Sequence, residues 1–404
     1  MNGFIKFGYC TAALIVVSIV LYFYMRMIWD IQEFPSITFV LGWLIALCVI
    51  SYALVYGKAW AKGTVLSILS FAFTWLVLEG LCALVIRIKD GPGPDLVETV
   101  ANKSDATQRN AKKYTLIHYD QLGMSRPAPG EYTIEYALKG GKKADVTYHV
   151  DSLSRRLTPF NPKNATGKYA LFMGCSFTYG ESVADTNTLP YYFGEQTGYR
   201  PYNYGVSGHS PSQMLAILQR VNIRRQIAEK DGIALYTFID DHLARTTPST
   251  KWADLSAGYL PYVNPKTLVV EGTYAQKHPV RIKLIRWLHT SNVAKLFKVS
   301  FPKKYSIEQY QQFVNIVGKA KELYQKQFGN DNFYVVVFPM YRLDPKLREL
   351  FEKANLKLLD YSALLTWNTA YDGMHPDAQA FRQVAKKIAQ DLQVKPEKVV
   401  AAAE

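Results

Sequence analysis

Three apolar runs at the amino terminus constrain this chain more than any other feature. No charged side chain occurs between Lys6 and Arg26, and residues 7–25 are nearly all apolar. A second uncharged run covers residues 34–57, and a third, 63–86, is broken only by Glu79. About 20 apolar residues span a hydrocarbon core roughly 30 Å thick, so residues 1–92 are expected to form a three-helix transmembrane anchor. The bulky MRMIWD after the first run offers no small-residue cleavage site, which argues against a cleaved signal peptide. The loop charges set the orientation. Lys6 at the amino terminus, and Lys58 and Lys62 in an acid-free second loop, belong in the cytoplasm. Everything after residue 86 is then outside, with Arg87 and Lys89 pulling weakly the other way. Glu79 is costly inside an apolar helix; it is either functional or hydrogen-bonded to a neighbour near the interface.

The anchor carries only two of the +14 net charge, so the remainder is strongly basic. Its Lys and Arg are dispersed and no nucleic-acid motif occurs. Anionic lipid headgroups or an anionic glycan are therefore the expected partners, and nucleic acid is not. Of four cysteines, Cys10, Cys48 and Cys82 lie in the apolar runs, which excludes a disulfide scaffold. No HExxH or paired-Cys spacing is present, so neither a metal nor a cofactor is expected.

Residues 93–165 read as a polar linker (96–112) followed by a small β-rich lead-in. Its strands fall at 114–119, 130–138 and 144–150, with a turn at Gly140–Gly141. From Lys168 the pattern changes to alternating strand and helix. Strands are expected at 168–173, 201–204, 233–239, 333–339 and 357–359. Helices are expected from 189 and over 211–228, 307–328, 345–354 and 376–392. Such alternation predicts a parallel sheet with helices on both faces, and ligands in such sheets sit at the carboxyl ends of the strands. Residues 245–304 interrupt the alternation with a hairpin (259–274) and a basic amphipathic helix (280–297). They read as an insertion into an α/β domain spanning 166–404.

Three short motifs follow strands of this sheet. GCSFTYGE (174–181) places Ser176 on a strand-to-helix turn, where a hydroxyl is presented at the sheet edge and free backbone N–H groups can hold an oxyanion. A Ser there is also an ordinary helix cap. NYGVSGHS (203–210) is a glycine loop with exposed amides. In YDGMHP (371–376), Asp372 and His375 are three apart, so one turn can bring the carboxylate to the imidazole Nδ1 and leave the other nitrogen to take a proton from Ser. An Asp cap beside a surface His is the plainer alternative.

Taken together, and in this order, the three motifs resemble the SGNH/GDSL hydrolase superfamily. The resemblance covers roughly residues 168–392 and implies a flavodoxin-like α/β fold. It implies Ser176 as nucleophile, His375 as general base and Asp372 as its orienter, with the Ser176 and Gly208 amides in the oxyanion hole. Two positions depart from the family pattern. Cys175 stands where the family has Asp, and Cys175 is itself an alternative nucleophile. In TFIDDHLAR, Asp240 stands where an oxyanion-binding Asn is expected. An ionised Asp only accepts hydrogen bonds, so Asp240 would be protonated, or His242 or Arg245 would supply the donor. The function implied is a membrane-anchored bacterial serine esterase or O-acyltransferase on the outer side of the inner membrane. It would act on acyl esters, acetyl foremost, of a cell-surface glycan, and transfer would need a membrane acyl-donor protein. The alternatives are a catalytically silent scaffold in a polysaccharide assembly and a lipid esterase.

Overall fold

The computed structural model describes residues 3–29, 37–90, 116–119, 123–137, 143–364 and 368–394. The expected polar linker and the Gly140–Gly141 turn lie outside them. The chain opens with helices α1 (Gly3–Trp29), α2 (Ile37–Tyr56) and α3 (Ala59–Asp90). Four strands follow: β1 (Leu116–Tyr119), β2 (Met124–Pro127), β3 (Gly130–Ala137) and β4 (Lys143–Val150). Next come β5 (Lys168–Met173), α4 (Ser176–Tyr179), α5 (Leu189–Thr197), β6 (Arg200–Asn203), α6 (Pro211–Arg220), β7 (Asp231–Phe238), α7 (Asp241–Thr246) and α8 (Thr250–Leu255). After them lie β8 (Pro261–Val263), β9 (Val270–Thr273), α9 (Tyr274–Lys277), α10 (Pro279–Thr290) and α11 (Asn292–Leu296). The chain closes with α12 (Ile307–Phe328), β10 (Phe333–Val337), α13 (Pro345–Lys353), β11 (Lys357–Asp360) and α14 (Ala378–Asp391).

These elements form two compact units, one of Met1–Pro94 with Trp287–Val299, the other of Asp95–Arg286 with Ser300–Glu404. In the first, Gly3–Met25 and Ala59–Lys89 are long and apolar enough to cross a membrane, while the apolar part of α2, Gly42–Tyr56, is shorter. Among the described residues, two apolar helices of spanning length are thus present where three were expected. Glu79 is fully buried, and it is hydrogen-bonded rather than bare. Its carboxylate accepts the Ser291 hydroxyl and, at 2.6 Å, the Asn292 N–H at the start of α11. A buried carboxylate needs such donors, and the expected helix over 280–297 breaks to supply them. Ser291 leaves helical geometry and caps α11 by accepting from the Ala294 N–H. Trp287–Val299 therefore packs with the amino-terminal helices, although the sequence pattern places it in the insertion.

The second unit is built on a five-stranded sheet ordered β11-β10-β7-β5-β6, parallel throughout. In order of appearance this is 2-1-3-4-5, a doubly wound order whose crevice opens where the strand order reverses, beside the first strand. The strands are apolar on both faces, as a helix-covered parallel sheet demands. Tyr169, Leu171 and Met173 join Tyr236, Phe238, Val335 and Val337 in one core with α6 and α12, while Ala170, Phe172, Leu235 and Val336 face the other with α5 and α14. The lead-in is a β3–β4 antiparallel hairpin, Gly130 opposite Val150 through Ala137 opposite Lys143. A further strand, β2, pairs with β1 in MSRP, a segment without the alternation that marks a strand.

Candidate active site

The turn after β5 is built by glycine. Gly174 has φ +151°, and a Cβ there would overlap the hydroxyls of Thr178 and Thr237, so no side chain fits between this turn and β7. Cys175 occupies the N-cap of α4 without a side-chain capping bond, and Ser176 is the first helical residue. Ser176 is thus not the helix cap. The single turn ends at Gly180 (φ +86°), whose N–H closes on the Ser176 carbonyl at 2.8 Å. Its brevity is supported from outside by Arg156. This fully buried guanidinium donates to the carbonyls of Tyr179 (3.1 Å), Gly180 and Val183 (2.6 Å), and pairs with Asp185 at 2.8 Å.

The glycine loop after β6 is tied to that turn. Val206 N–H donates to the Gly174 carbonyl at 3.2 Å, and Asn203 Nδ2 donates to the carbonyls of Thr178 and Tyr179 at 3.0 and 3.2 Å. The Ser207 hydroxyl donates to the buried Glu181 carboxylate. Gly208 adopts φ +79° with open space on its Cβ side. Among the described residues, the Ser176 and Gly208 N–H groups have no protein acceptor.

After β11, Asp372 and His375 come together at the sheet edge. His375 Nδ1 lies 2.5 Å from Asp372 Oδ2, while the other oxygen accepts the N–H groups of Met374 (2.9 Å) and His375 (3.0 Å). The Ser182 hydroxyl donates to Oδ2 at 2.6 Å. Burial alone would raise the Asp372 pKa. The bonds to His375 and Ser182 and the imidazole charge outweigh it and hold the acid well below the usual carboxylate range. His375 runs the other way. Burial lowers its pKa, but the Asp372 bond and the charges of Glu181 and Asp372 overcome burial and the opposing Arg245, leaving a net rise. The Phe177 ring, next in sequence to Ser176, lies 5.3 Å from the His375 ring. Among the described residues no hydrogen bond joins Ser176 to His375.

The third block sorts into three environments. Asp240 stands at the start of α7, where desolvation of its carboxyl, with the Asp241 charge second, raises it to about 6. His242 is fully buried, with Nδ1 2.6 Å from the Tyr236 hydroxyl and its ring stacked on that tyrosine. Burial, with the charges of Arg245 and His209, pushes its pKa well down and keeps it neutral, so the expected cation at His242 does not arise. Arg245 is buried, donates to the His209 carbonyl at 2.7 Å and lies 4.1 Å from the Trp252 ring. Its charge reaches both His375 and Cys175. Cys175 is completely buried, and burial raises its thiol pKa despite Arg245. A buried, protonated thiol is a poor nucleophile.

Sequence reasoning gave no role to Glu181, Ser182, Arg156 or the hairpin residues Tyr136 and Tyr148. Only Glu181 lay inside a quoted motif. The others lacked a local signal, being brought to the site by folding.

No protein-family model and no curated protein matches this chain. Among solved structures, a protein assigned to the lipolytic G-D-S-L family of Desulfitobacterium hafniense DCB-2 is similar over 55% of this chain and 98% of its own, at 11% identity and a TM-score of 0.30. A likeness at that score is too slight to bear on activity.

Proposed function

We propose that the chain is a membrane-anchored serine hydrolase of SGNH type, acting as an esterase or O-acyltransferase on acyl esters of a cell-surface glycan. The observation that supports it is the Asp372–His375 pair, bonded through Nδ1 with Nε2 free to accept, at the same sheet edge as Ser176. On this reading Ser176 Oγ attacks the ester carbonyl while His375 Nε2 takes its proton, and Asp372 stabilises the imidazolium formed. The Ser176 and Gly208 N–H groups receive the oxyanion. The tetrahedral intermediate collapses, the C–O bond to the alcohol breaks, and the alcohol leaves with the proton from His375. Water or a sugar hydroxyl then gives its proton to His375, attacks the acyl-serine and regenerates Ser176. A third membrane span made by α2, beyond the two helices of spanning length, and the catalytic unit on the outer face of a bacterial inner membrane belong to the same proposal. So does a membrane acyl-donor partner for transfer.

Asp240 in place of a neutral donor favours a second reading, a silent scaffold in polysaccharide assembly. The two are separated by a fluorophosphonate probe applied to the full-length protein in detergent. The serine-hydrolase reading expects covalent labelling that is lost in Ser176→Ala. An unlabelled parent protein would leave the scaffold.

A further inference from the structure

The β3–β4 hairpin reaches the candidate site through hydrogen bonds. Tyr136 and Tyr148 are both buried, their hydroxyls 2.9 Å apart. Ser182 Oγ lies 3.1 Å from the Tyr136 hydroxyl and 2.6 Å from Asp372 Oδ2, and Ser182 N–H donates to the Tyr148 hydroxyl at 2.8 Å. Ser182 sits at φ +65°, a left-handed conformation that serine rarely adopts. These bonds hold it there.

The direction of the bonds follows from proton counting. An ionised carboxylate accepts only, and a serine hydroxyl has one proton. The Ser182 proton therefore goes to Asp372, and Tyr136 donates to Ser182 Oγ. Tyr148 then donates to Tyr136 and accepts from the Ser182 N–H. Burial raises Tyr136 to about 12 and Tyr148 well above the ordinary tyrosine value, so both keep their protons. Every hydroxyl in the row points its proton toward Asp372. Oδ2 thus shares its lone pairs between Ser182 and His375, while Oδ1 is held by two backbone N–H groups.

We infer that Ser182, Tyr136 and Tyr148 are positioning residues, a relay from the hairpin that aims the Asp372 carboxylate at His375 and limits its basicity. The inference rests on the serine-hydrolase reading of the site. Removing the Ser182 donor leaves Oδ2 a stronger acceptor toward the imidazole, which favours the imidazolium. The groups facing His375 are Asp372 on its own loop, Glu181 beyond α4, Arg245 on α7 and the Phe177 ring. Glu181 and Arg245 stay unchanged in the variants below, so a displaced profile reports the relay.

The test is hydrolysis of p-nitrophenyl acetate by the full-length protein in detergent, as kcat/KM against pH. Ser182→Gly is the main variant, because glycine tolerates the left-handed backbone, removes the hydroxymethyl side chain and keeps the N–H that donates to Tyr148. Tyr136→Phe is the second. The relay expects Ser182→Gly to lose kcat by about 10-fold or more with KM little changed. It also expects the acid limb of the profile to move to higher pH. Tyr136→Phe should move the limb the same way, by less. A Ser182→Gly profile that superimposes on the parent's overturns the relay, whether or not kcat has fallen. Undiminished hydrolysis in Ser176→Ala would instead overturn the serine-hydrolase reading.

Discussion

Arg156→Met tests the account of the nucleophile turn without reference to any reaction. Methionine keeps most of the stem volume and removes every donor. Two of the groups that Arg156 serves retain a partner. The Tyr179 carbonyl keeps Asn203 Nδ2 at 3.2 Å, and Asp185 keeps the N–H and Nδ1 of His149 at 3.2 and 2.7 Å. The Gly180 and Val183 carbonyls do not, apart from a long 3.5 Å bond from Val183 N–H to Gly180. An orphaned buried polar group costs about 1–3 kcal/mol, so these two carbonyls account for roughly 2–6 kcal/mol. Breaking a buried ion pair from one side costs about 3–5 kcal/mol; Asp185 keeps its His149 donors and so adds only part of that to the carbonyl cost, and a total of about 4 kcal/mol is a conservative expectation. In a domain of this size that corresponds to a fall in Tm of about 10 °C. Thermal unfolding of the full-length protein in detergent, followed by circular dichroism, measures it. Adding Asp185→Leu should recover only part of the loss, because the carbonyls stay orphaned. A fall below about 2 °C for Arg156→Met would refute the reasoning, since the turn would then hold without its guanidinium.

Two further outcomes follow from the charges. The base must be neutral to accept a proton, and Glu181 is among the charges that raise the His375 pKa. Glu181→Gln should therefore shift the acid limb of kcat/KM to lower pH, and a shift to higher pH would contradict the assigned electrostatics. For topology, a carboxyl-terminal alkaline phosphatase fusion should be active and the matching green fluorescent fusion dark. The reverse pair would put the catalytic unit in the cytoplasm.

Local chemistry was legible in the chain and distant packing was not. The three central parallel strands stood out because each holds a short apolar run, whereas the edge strands RPYN and KLLD were placed by their position between helices. Asp372 and His375 could be paired from their spacing alone, because three residues is one turn. Ser182 and Asp372 are 190 residues apart, and no pattern in either segment names the other. Arg156 looked like one more dispersed cation, and only the fold turns it inward over Tyr148 and Tyr179. Helix ends were the weakest part of the reading. The helix expected over 211–228 stops at Arg220 and resumes as a 3₁₀ turn at Ile223–Gln226, because Gln327 takes over nearby backbone groups, accepting the Ile223 N–H at 2.8 Å.

The third block shows why residue type and protonation state are separate questions. Asp240, Asp241, His242 and Arg245 were all within reach of the sheet edge by sequence, and any of them could have supplied or repelled charge there. Their sorting depends on how α7 is rotated, and the core decides that. His242 turns in against Tyr236 and Phe238, where a charge would be stranded, so it is a neutral packing residue. Arg245, three residues on, reaches the His209 carbonyl and Trp252, and its charge lowers the His375 pKa. The Glu181 charge acts on His375 in the opposite sense. A guanidinium lowering the base's pKa and a carboxylate raising it bracket His375, and each is held by a partner from another segment: Arg245 by His209, Glu181 by Ser207. Both partners come from the same glycine loop after β6. That loop thus does more than expose the Gly208 amide: it holds in place the two opposite charges that, on the proposed mechanism, set when His375 can act as a base.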